Sequence, residues 1–377
     1  MRMKIPFNKP ALIGREIPYI LDAIRRGQLS GDGTYTRRCR QYLERRLRMP
    51  AVLLTPSCTH ALELAYLLLD IRPSDEIIVP SFTFPSTVNA FMLRGGTPRF
   101  IDIRADTLNM DETRVASAIG GKTRAISPVH YAGLPCRMDV ILHVARRHHL
   151  PVVEDAAQAL GATFEGREAG TFGDLNAFSF HETKNCSCGE GGALALRNAK
   201  YIRRAEVLRQ KGTNREQFYR GVVDKYSWID LGSSYLPSEL QSAFLLAQLQ
   251  HDKEILARRR RLYLNYREAL QPLEAAGKLH LPVIPSQCGS SYHLFHIVLD
   301  SQRTRDRLIA NLHRKGITAV FHYFPLHLSR MGRRLGYRRG QFPVTEYISP
   351  RLLRLPLYNT MTSGEQRYVV KNILELL

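Results

Sequence analysis

Lys184 stands in the run Ser179-Phe180-His181-Glu182-Thr183-Lys184-Asn185, with Asp155-Ala156-Ala157-Gln158 upstream and Gly189-Glu190-Gly191-Gly192 just behind. These residues pair a nucleophilic amine with an acid. One cofactor, pyridoxal 5'-phosphate (PLP), needs this set: an amine to form a Schiff base and a carboxylate to keep the pyridine nitrogen protonated. The chemistry expected is amino-group transfer. A lysine after a strand is ordinarily just solvated, but the place of Lys184 after Phe178-Ser179-Phe180 and before a glycine-rich turn favours the catalytic reading. Lys184 would also move a proton between the substrate carbon and the cofactor, work that suits an amine whose pKa is lowered by burial. Asp155 is expected at the mouth of the site, as the partner of the pyridine nitrogen. Glu154 is its rival, and because side chains alternate along a strand only one of the two can face the ligand.

Thr55-Pro56-Ser57-Cys58-Thr59-His60 joins an apolar strand to an apolar helix, so free amides and the positive end of the helix dipole point beyond the strand, where a phosphate fits. An N-cap by Ser57 or Thr59 explains the same residues without a ligand. Ser179, a small hydroxyl at another strand end, tips the balance toward phosphate. Phe82 and Phe84, in Pro80-Ser81-Phe82-Thr83-Phe84, are candidates to lie over a ring, although either alone would serve as core.

The elements that must position these groups alternate short β-branched runs with helical ones from about residue 52 to 196, the pattern of an α/β layer with a mainly parallel sheet. Strands are expected at 52–54, 76–79, 97–102, 124–129, 151–154, 177–180 and 193–196, with helices at 59–69 and 139–148. Ligands of such sheets gather beyond the carboxyl ends of the strands. One long helical pattern, 238–270, carries the chain into a second region with strands at 292–298 and 318–323 and helices at 303–315 and 363–375. The expected division is a large domain, 1–250, and a smaller C-terminal α+β domain, 251–377.

The chain has 377 residues, 44% of them hydrophobic, enough for two domains around one active site. Six cysteines lie without a disulfide framework, and no second pair completes a zinc site with Cys186 and Cys188, so no metal is expected. With no membrane-length apolar run and no signal-like start, the expected compartment is the cytoplasm. The formal charge of +20, with arginine supplying 43 of 54 basic residues, is spread over helical patterns such as Arg258-Arg259-Arg260-Arg261. It lacks the single stripe and the aromatic platforms of a nucleic-acid surface. A field that gathers anionic small substrates accounts for it as well as plain solvated helix faces do.

These residues resemble the PLP-dependent sugar aminotransferases of fold type I, with an architecture similar to aspartate aminotransferase. The resemblance covers essentially the whole chain. It is carried by Lys4 to Asn8, the turn 55–59, Pro80 to Phe84, Pro128-Val129-His130-Tyr131-Ala132-Gly133, Glu154 to Gln158, Phe178 to Asn185, Gly189 to Gly192, Phe321-His322-Tyr323 with Pro325-Leu326-His327, and Leu355-Pro356-Leu357. Four segments, Ser30-Gly31-Asp32-Gly33, His181 to Asn185, Lys211 to Arg215 and Asp224 to Trp228, are similar to the dTDP-4-amino-4,6-dideoxygalactose transaminase branch.

The resemblance implies amino transfer from L-glutamate to C4 of dTDP-4-keto-6-deoxy-D-glucose, for surface polysaccharide such as lipopolysaccharide. It also implies a homodimer with active sites at the subunit interface. It gives Lys184 the Schiff-base role and Asp155 the pyridinium role, sets Gln158 beside the ring and Phe84 on it, and assigns the phosphate to Cys58, Thr59 and Ser179. His322, Tyr323 and Lys211 are the substrate candidates, while His130 serves equally as a satisfied core histidine. Two departures stand out: near Ser234 many members carry an asparagine that reaches the neighbouring subunit's phosphate, and the turn Cys186-Ser187-Cys188 varies between members.

Three other functions compete with this one. Transfer to C3, or to a different nucleotide sugar, differs only in pocket shape. A sugar dehydratase of this fold uses a histidine where this chain has Lys184. A DNA-binding regulator on the same scaffold would need an added module for which the chain has no spare length.

Overall fold

The computed structural model describes residues 3–377. In chain order the strands are β1 (Ala51–Thr55), β2 (Glu76–Pro80), β3 (Thr97–Ile101), β4 (Thr123–Ile126), β5 (Val153–Asp155), β6 (Thr163–Phe164), β7 (Arg167–Glu168), β8 (Leu175–Ser179), β9 (Gly192–Leu196), β10 (Leu279–His280), β11 (Cys288–Gly289), β12 (Phe295–Leu299) and β13 (Leu352–Leu355). β3-β2-β4 pair in parallel, and so do β5 and β8; bridges Ile126↔Val152 and Val129↔Asp155 join the two groups. β9 is inserted antiparallel between β8 and β1. The result is the mixed, mostly parallel sheet the alternating pattern implies. β1 and β9 are buried along their whole length, as strands covered on both faces must be.

One face is covered by α3 (Cys58–Leu68) and α4 (Pro85–Met92), whose Leu62, Leu64, Ala65 and Phe91 share a core with Leu53 and Leu194. The other carries α1 (Glu16–Arg25), α2 (Thr34–Leu47) and the helix Glu239–Gln250, through Ala23, Leu43, Leu246 and Leu249 against Val52 and Ala193. Buried Glu239 accepts the amides of Gly33, Tyr35 and Thr36 at 3.1, 2.7 and 2.9 Å, so a side chain distant in sequence satisfies the free donors that start α2.

The expected continuous helix from 238 to 270 is two. Glu239–Gln250 stops at His251 (φ −112°, ψ 16°) and Asp252–Ala275 begins anew. The break lets each half serve a different core: Leu245 and Leu249 face the large sheet, whereas Leu262, Tyr266 and Leu270 pack with β12 and β13. That second core closes on an antiparallel sheet, β10-β12-β13, and on the helices Gln302–Arg314 and Ser363–Leu376. The strand expected at 318–323 reduces to one bridge, Val320↔Arg354, because the chain leaves the sheet there to wall the cavity described below. Near the N-terminus Ile5 pairs with Ile317 and is buried in the C-terminal core.

Candidate active site

β1, β5 and β8 end, and β9 begins, along one edge of the large sheet, and a cavity of about 730 Å³ opens there. Lys184 lies in the turn after β8, its amide donating to His181 O at 2.8 Å. It is half-buried by surface area, with its ammonium deep enough that burial lowers its pKa against the opposing pull of Cys58 and Asp155. The next residue, Asn185, ties this turn to the C-terminal region. Its amide nitrogen donates to Ser291 O at 2.7 Å, its side-chain oxygen lies 3.1 Å from His293 Nδ1, and its carbonyl accepts from Asn359 at 3.1 Å.

Strand alternation separates Asp155 from Glu154. Asp155 lines the cavity, accepting the Thr87 hydroxyl at 2.7 Å and the Ala157 amide at 3.1 Å. Thr87 is held in turn by the Thr83 hydroxyl at 2.9 Å, so the carboxylate is aimed by α4 as well as by its own strand. Glu154 is wholly buried and accepts from His130 Nε2 at 2.7 Å, from the amides of Gly170 and Phe172 at 2.8 and 2.6 Å, and from Gly173. Burial raises its pKa, but these donors outweigh it and hold the carboxyl below its ordinary value. His130 Nδ1 accepts the Cys136 amide, which leaves the proton on Nε2. His130 is therefore the satisfied core histidine the sequence allowed, and Glu154 is a loop anchor.

Ser57 caps α3, its hydroxyl accepting the His60 amide at 3.2 Å, and Cys58 and Thr59 begin the helix beside Ser179. Gly192 makes this closeness possible. It pairs with both Thr55 and Ser179, and a Cβ on it would fall 2.3 Å from Ser57 C and 2.4 Å from Cys58 N. The sheet thus approaches the helix start closer than any side chain permits. Burial and the neighbouring Asp155 push the Cys58 thiol well up, so it is a neutral group there rather than a nucleophile.

The residues present fit PLP on these observations: an amine of lowered pKa, a carboxylate fixed by two donors, and a helix start held open by a glycine. Lys184, Asp155, Cys58, Thr59 and Ser179 would hold it. Phe84, 57% exposed at the mouth, and Gln158 also line the cavity. Gln158 accepts the Ala132 amide at 2.7 Å and donates to the Tyr323 hydroxyl at 3.0 Å.

His322 and Tyr323 lie on the opposite wall, where His322 Nδ1 is 3.1 Å from the Tyr131 hydroxyl. Lys211 is not brought there; it sits with Ser234 in an exposed loop outside this cavity's lining. Arg354, His293 and Thr87 reach the cavity without having been singled out from sequence. For Arg354 a signal existed, a lone cation in the apolar run Leu352-Leu353-Arg354-Leu355. Among the described residues no cluster of metal ligands occurs, and no helix is long and apolar enough to cross a membrane.

Residues 10–374 match the DegT/DnrJ/EryC1/StrS aminotransferase family. A protein of Geobacillus stearothermophilus named "Pleiotropic regulatory protein" is 32% identical over 96% of this chain and 94% of its own. Among solved structures, DesV of S. venezuelae is 30% identical with a TM-score of 0.91, covering 99% of this chain and 98% of that one. The PLP form of the Streptococcus pneumoniae sugar aminotransferase Spr1654 is 26% identical with a TM-score of 0.91, covering 100% of both chains.

Proposed function

From the premise that this chain belongs to the DegT/DnrJ/EryC1/StrS aminotransferase family, and is a PLP-dependent sugar aminotransferase of fold type I, we propose that it transfers an amino group from L-glutamate to C4 of dTDP-4-keto-6-deoxy-D-glucose. The product is dTDP-4-amino-4,6-dideoxy-D-galactose, a precursor for surface polysaccharide. The observation that carries the reading is Lys184 opening, beside Asp155, into the cavity that His322 and Tyr323 close from the other side. The narrower substrate is supported by the four sequence segments named above, Lys211 to Arg215 among them.

When bound, PLP supplies an aldehyde for the substrate nitrogen and a ring that takes up the electron pair left by a departing Cα proton. Lys184 Nζ would carry that proton, and burial, which lowers its pKa from the ordinary lysine value, makes the neutral amine easier to reach. Asp155, its carboxylate fixed by the Thr87 hydroxyl and the Ala157 amide, would face the ring nitrogen. Cys58, Thr59 and Ser179 would hold the phosphate, with α3 amides and a hydroxyl.

A homodimer whose partner completes the site is part of the proposal. Ile17, Leu21 and Ile24 along one helix, and Val222, Tyr226 and Trp228 in the loop that carries Lys211, are exposed apolar groups that support such a contact. The Geobacillus relative's name describes that protein; here Lys184 and Asp155, both lining the cavity, support the catalytic reading.

The test is a panel of keto-sugar nucleotides offered to purified holoenzyme with L-glutamate, the products read by mass and by the position of the new amine. Turnover of the dTDP-linked 4-keto sugar above its C3-keto and UDP-linked analogues is expected. Preference for any of those analogues would replace the proposed substrate.

A further inference from the structure

His293 lines the cavity with only 8% of its surface exposed, and its two ring nitrogens can be told apart. The end of the Asn185 amide that lies 2.7 Å from Ser291 O must be the nitrogen, because a carbonyl only accepts. Asn185 Oδ1 is therefore the atom 3.1 Å from His293 Nδ1, and that contact needs the proton on Nδ1. Burial resists a second proton, and the charges of Lys184, Arg259 and Arg354 repel it, so the imidazole is neutral with its pKa well below the ordinary value. Nε2 is left as a bare lone pair, and among the described residues no protein donor meets it.

The main chain beneath this ring is fixed by a buried cation. In the run Arg258-Arg259-Arg260-Arg261 only Arg259 turns inward, and it meets carbonyls instead of a carboxylate. Its Nε donates to Tyr292 O at 3.0 Å, Nη1 to Asn359 Oδ1 at 3.2 Å, and Nη2 to Leu357 O at 3.3 Å and to His293 O. The rigid fork of five donors suits that task. It holds Tyr292 in the left-handed region at φ 53°, where a bulky residue is strained. Asn359 Nδ2 donates in turn to Asn185 O at 3.1 Å, so His293 is tied through side chain and main chain to the residue that follows Lys184. Lys184 and His293 also line together a small gap of about 10 Å³, with Gln158, Ser179 and Cys186 around it. That is room for about one water. Burial and the charges of Cys58, Asp155 and Arg354 act on the Lys184 ammonium, while among the described residues no hydrogen bond holds it.

We propose that His293 is a positioning residue for Lys184: its Nε2 accepts an N–H of Lys184 Nζ across the gap that the two residues line. The proposal rests on Lys184 carrying the proton during transfer, and it adds how the amine is aimed. A neutral amine has two N–H groups and one lone pair. With one N–H held by Nε2, the lone pair is steered toward the cavity, where a Cα proton must be collected. Only an acceptor serves here, and the bond from Nδ1 to Asn185 is what leaves Nε2 able to accept.

The experiment uses the full-length enzyme loaded with pyridoxamine 5'-phosphate, in which the Lys184 amine is free whatever the natural donor. Trace acetylation across pH, read on the Lys184 peptide by mass spectrometry, gives the proton affinity of that amine. Two substitutions separate the ring nitrogens. His293→Asn keeps an amide where Nδ1 meets Asn185 and lacks the acceptor at Nε2; His293→Gln puts an oxygen near the place of Nε2 and gives up the tie to Asn185. His293→Asn is expected to lower the proton affinity of Lys184 by ~10- to 100-fold, the strength of a hydrogen bond from a charged donor. In the PLP-loaded enzyme with L-glutamate it should slow the limiting single-turnover rate by roughly 10- to 100-fold at unchanged half-saturation. His293→Gln should recover most of both. Wild-type proton affinity in His293→Asn would overturn the inference. So would an equal loss in both variants, or a loss in His293→Gln alone, since the ring would then serve only to hold Asn185. Acetylation of Lys184 as fast in the PLP-loaded enzyme as in the pyridoxamine form would sink the Schiff-base role by itself, and the comparison of the two variants would still decide His293.

Discussion

Gly192→Ala puts one methyl group where the sheet meets the start of α3. The added carbon would stand 2.3 Å from Ser57 C and 2.4 Å from Cys58 N, both backbone atoms that no rotamer change can move aside. Opening those contacts to the ~3.5 Å at which carbon atoms pack comfortably displaces the helix start by about 1 Å. The amides of Cys58 and Thr59 move with it. An amide bond to a phosphate oxygen, ordinarily ~2.9 Å long, would stretch by that amount past any useful length. Losing two such bonds to a charged acceptor, at ~1.5–3 kcal/mol each, predicts PLP affinity lower by roughly 10²- to 10⁴-fold. Overpacking alone should cost the cofactor-free protein about 1–3 kcal/mol. Equilibrium titration with PLP, followed by absorbance, measures the first effect; denaturant unfolding of the cofactor-free protein measures the second. If Gly192→Ala bound PLP as the wild type does, the phosphate would not sit on the α3 amides. Wild-type stability of the cofactor-free variant would show that the helix start yields freely, contrary to the argument from backbone contact.

Two further outcomes follow from the carboxylates. Asp155→Ala should still load PLP through Lys184, with borohydride trapping the adduct on that residue, while single-turnover transfer falls by orders of magnitude; an unchanged rate would remove Asp155 from the ring-nitrogen role. Glu154→Gln should destabilise the protein by about 3–5 kcal/mol at neutral pH, because it removes a buried charge that four donors surround. The native pKa of Glu154 is depressed, so its contribution is complete above the unfolded value of 4.5 and is lost as pH falls through the lower native value. The stability gap between wild type and Glu154→Gln should therefore close on acidification, in chemical unfolding repeated across pH, and a gap constant down to acid pH would contradict this origin.

The two carboxylates also show where sequence stops. Strand alternation at 154–155 required one to face the ligand and the other to turn away, and proximity to the expected strand end favoured Asp155. That Glu154 would find His130 and three amides of the 170–173 loop depended on the loop's path, which no local pattern encodes. The strands of the large sheet were legible because each is a short apolar run bounded by turn residues. The break at His251 was not, since both helices keep the same apolar period and only the change of core between Leu249 and Leu262 explains it.

Local order along the chain was enough to place a lysine, an acid, a helix start and a glycine turn at neighbouring strand ends, because a parallel sheet delivers successive strand ends to one edge. Which groups oppose them was settled only in three dimensions. Arg354, His293 and Tyr323 come from a region folded around a separate core, and Lys211, close to the site by motif, lies on a loop outside the cavity. Periodicity encodes which face of an element is buried, whereas the pairing of charges across a cavity depends on how two separate cores dock.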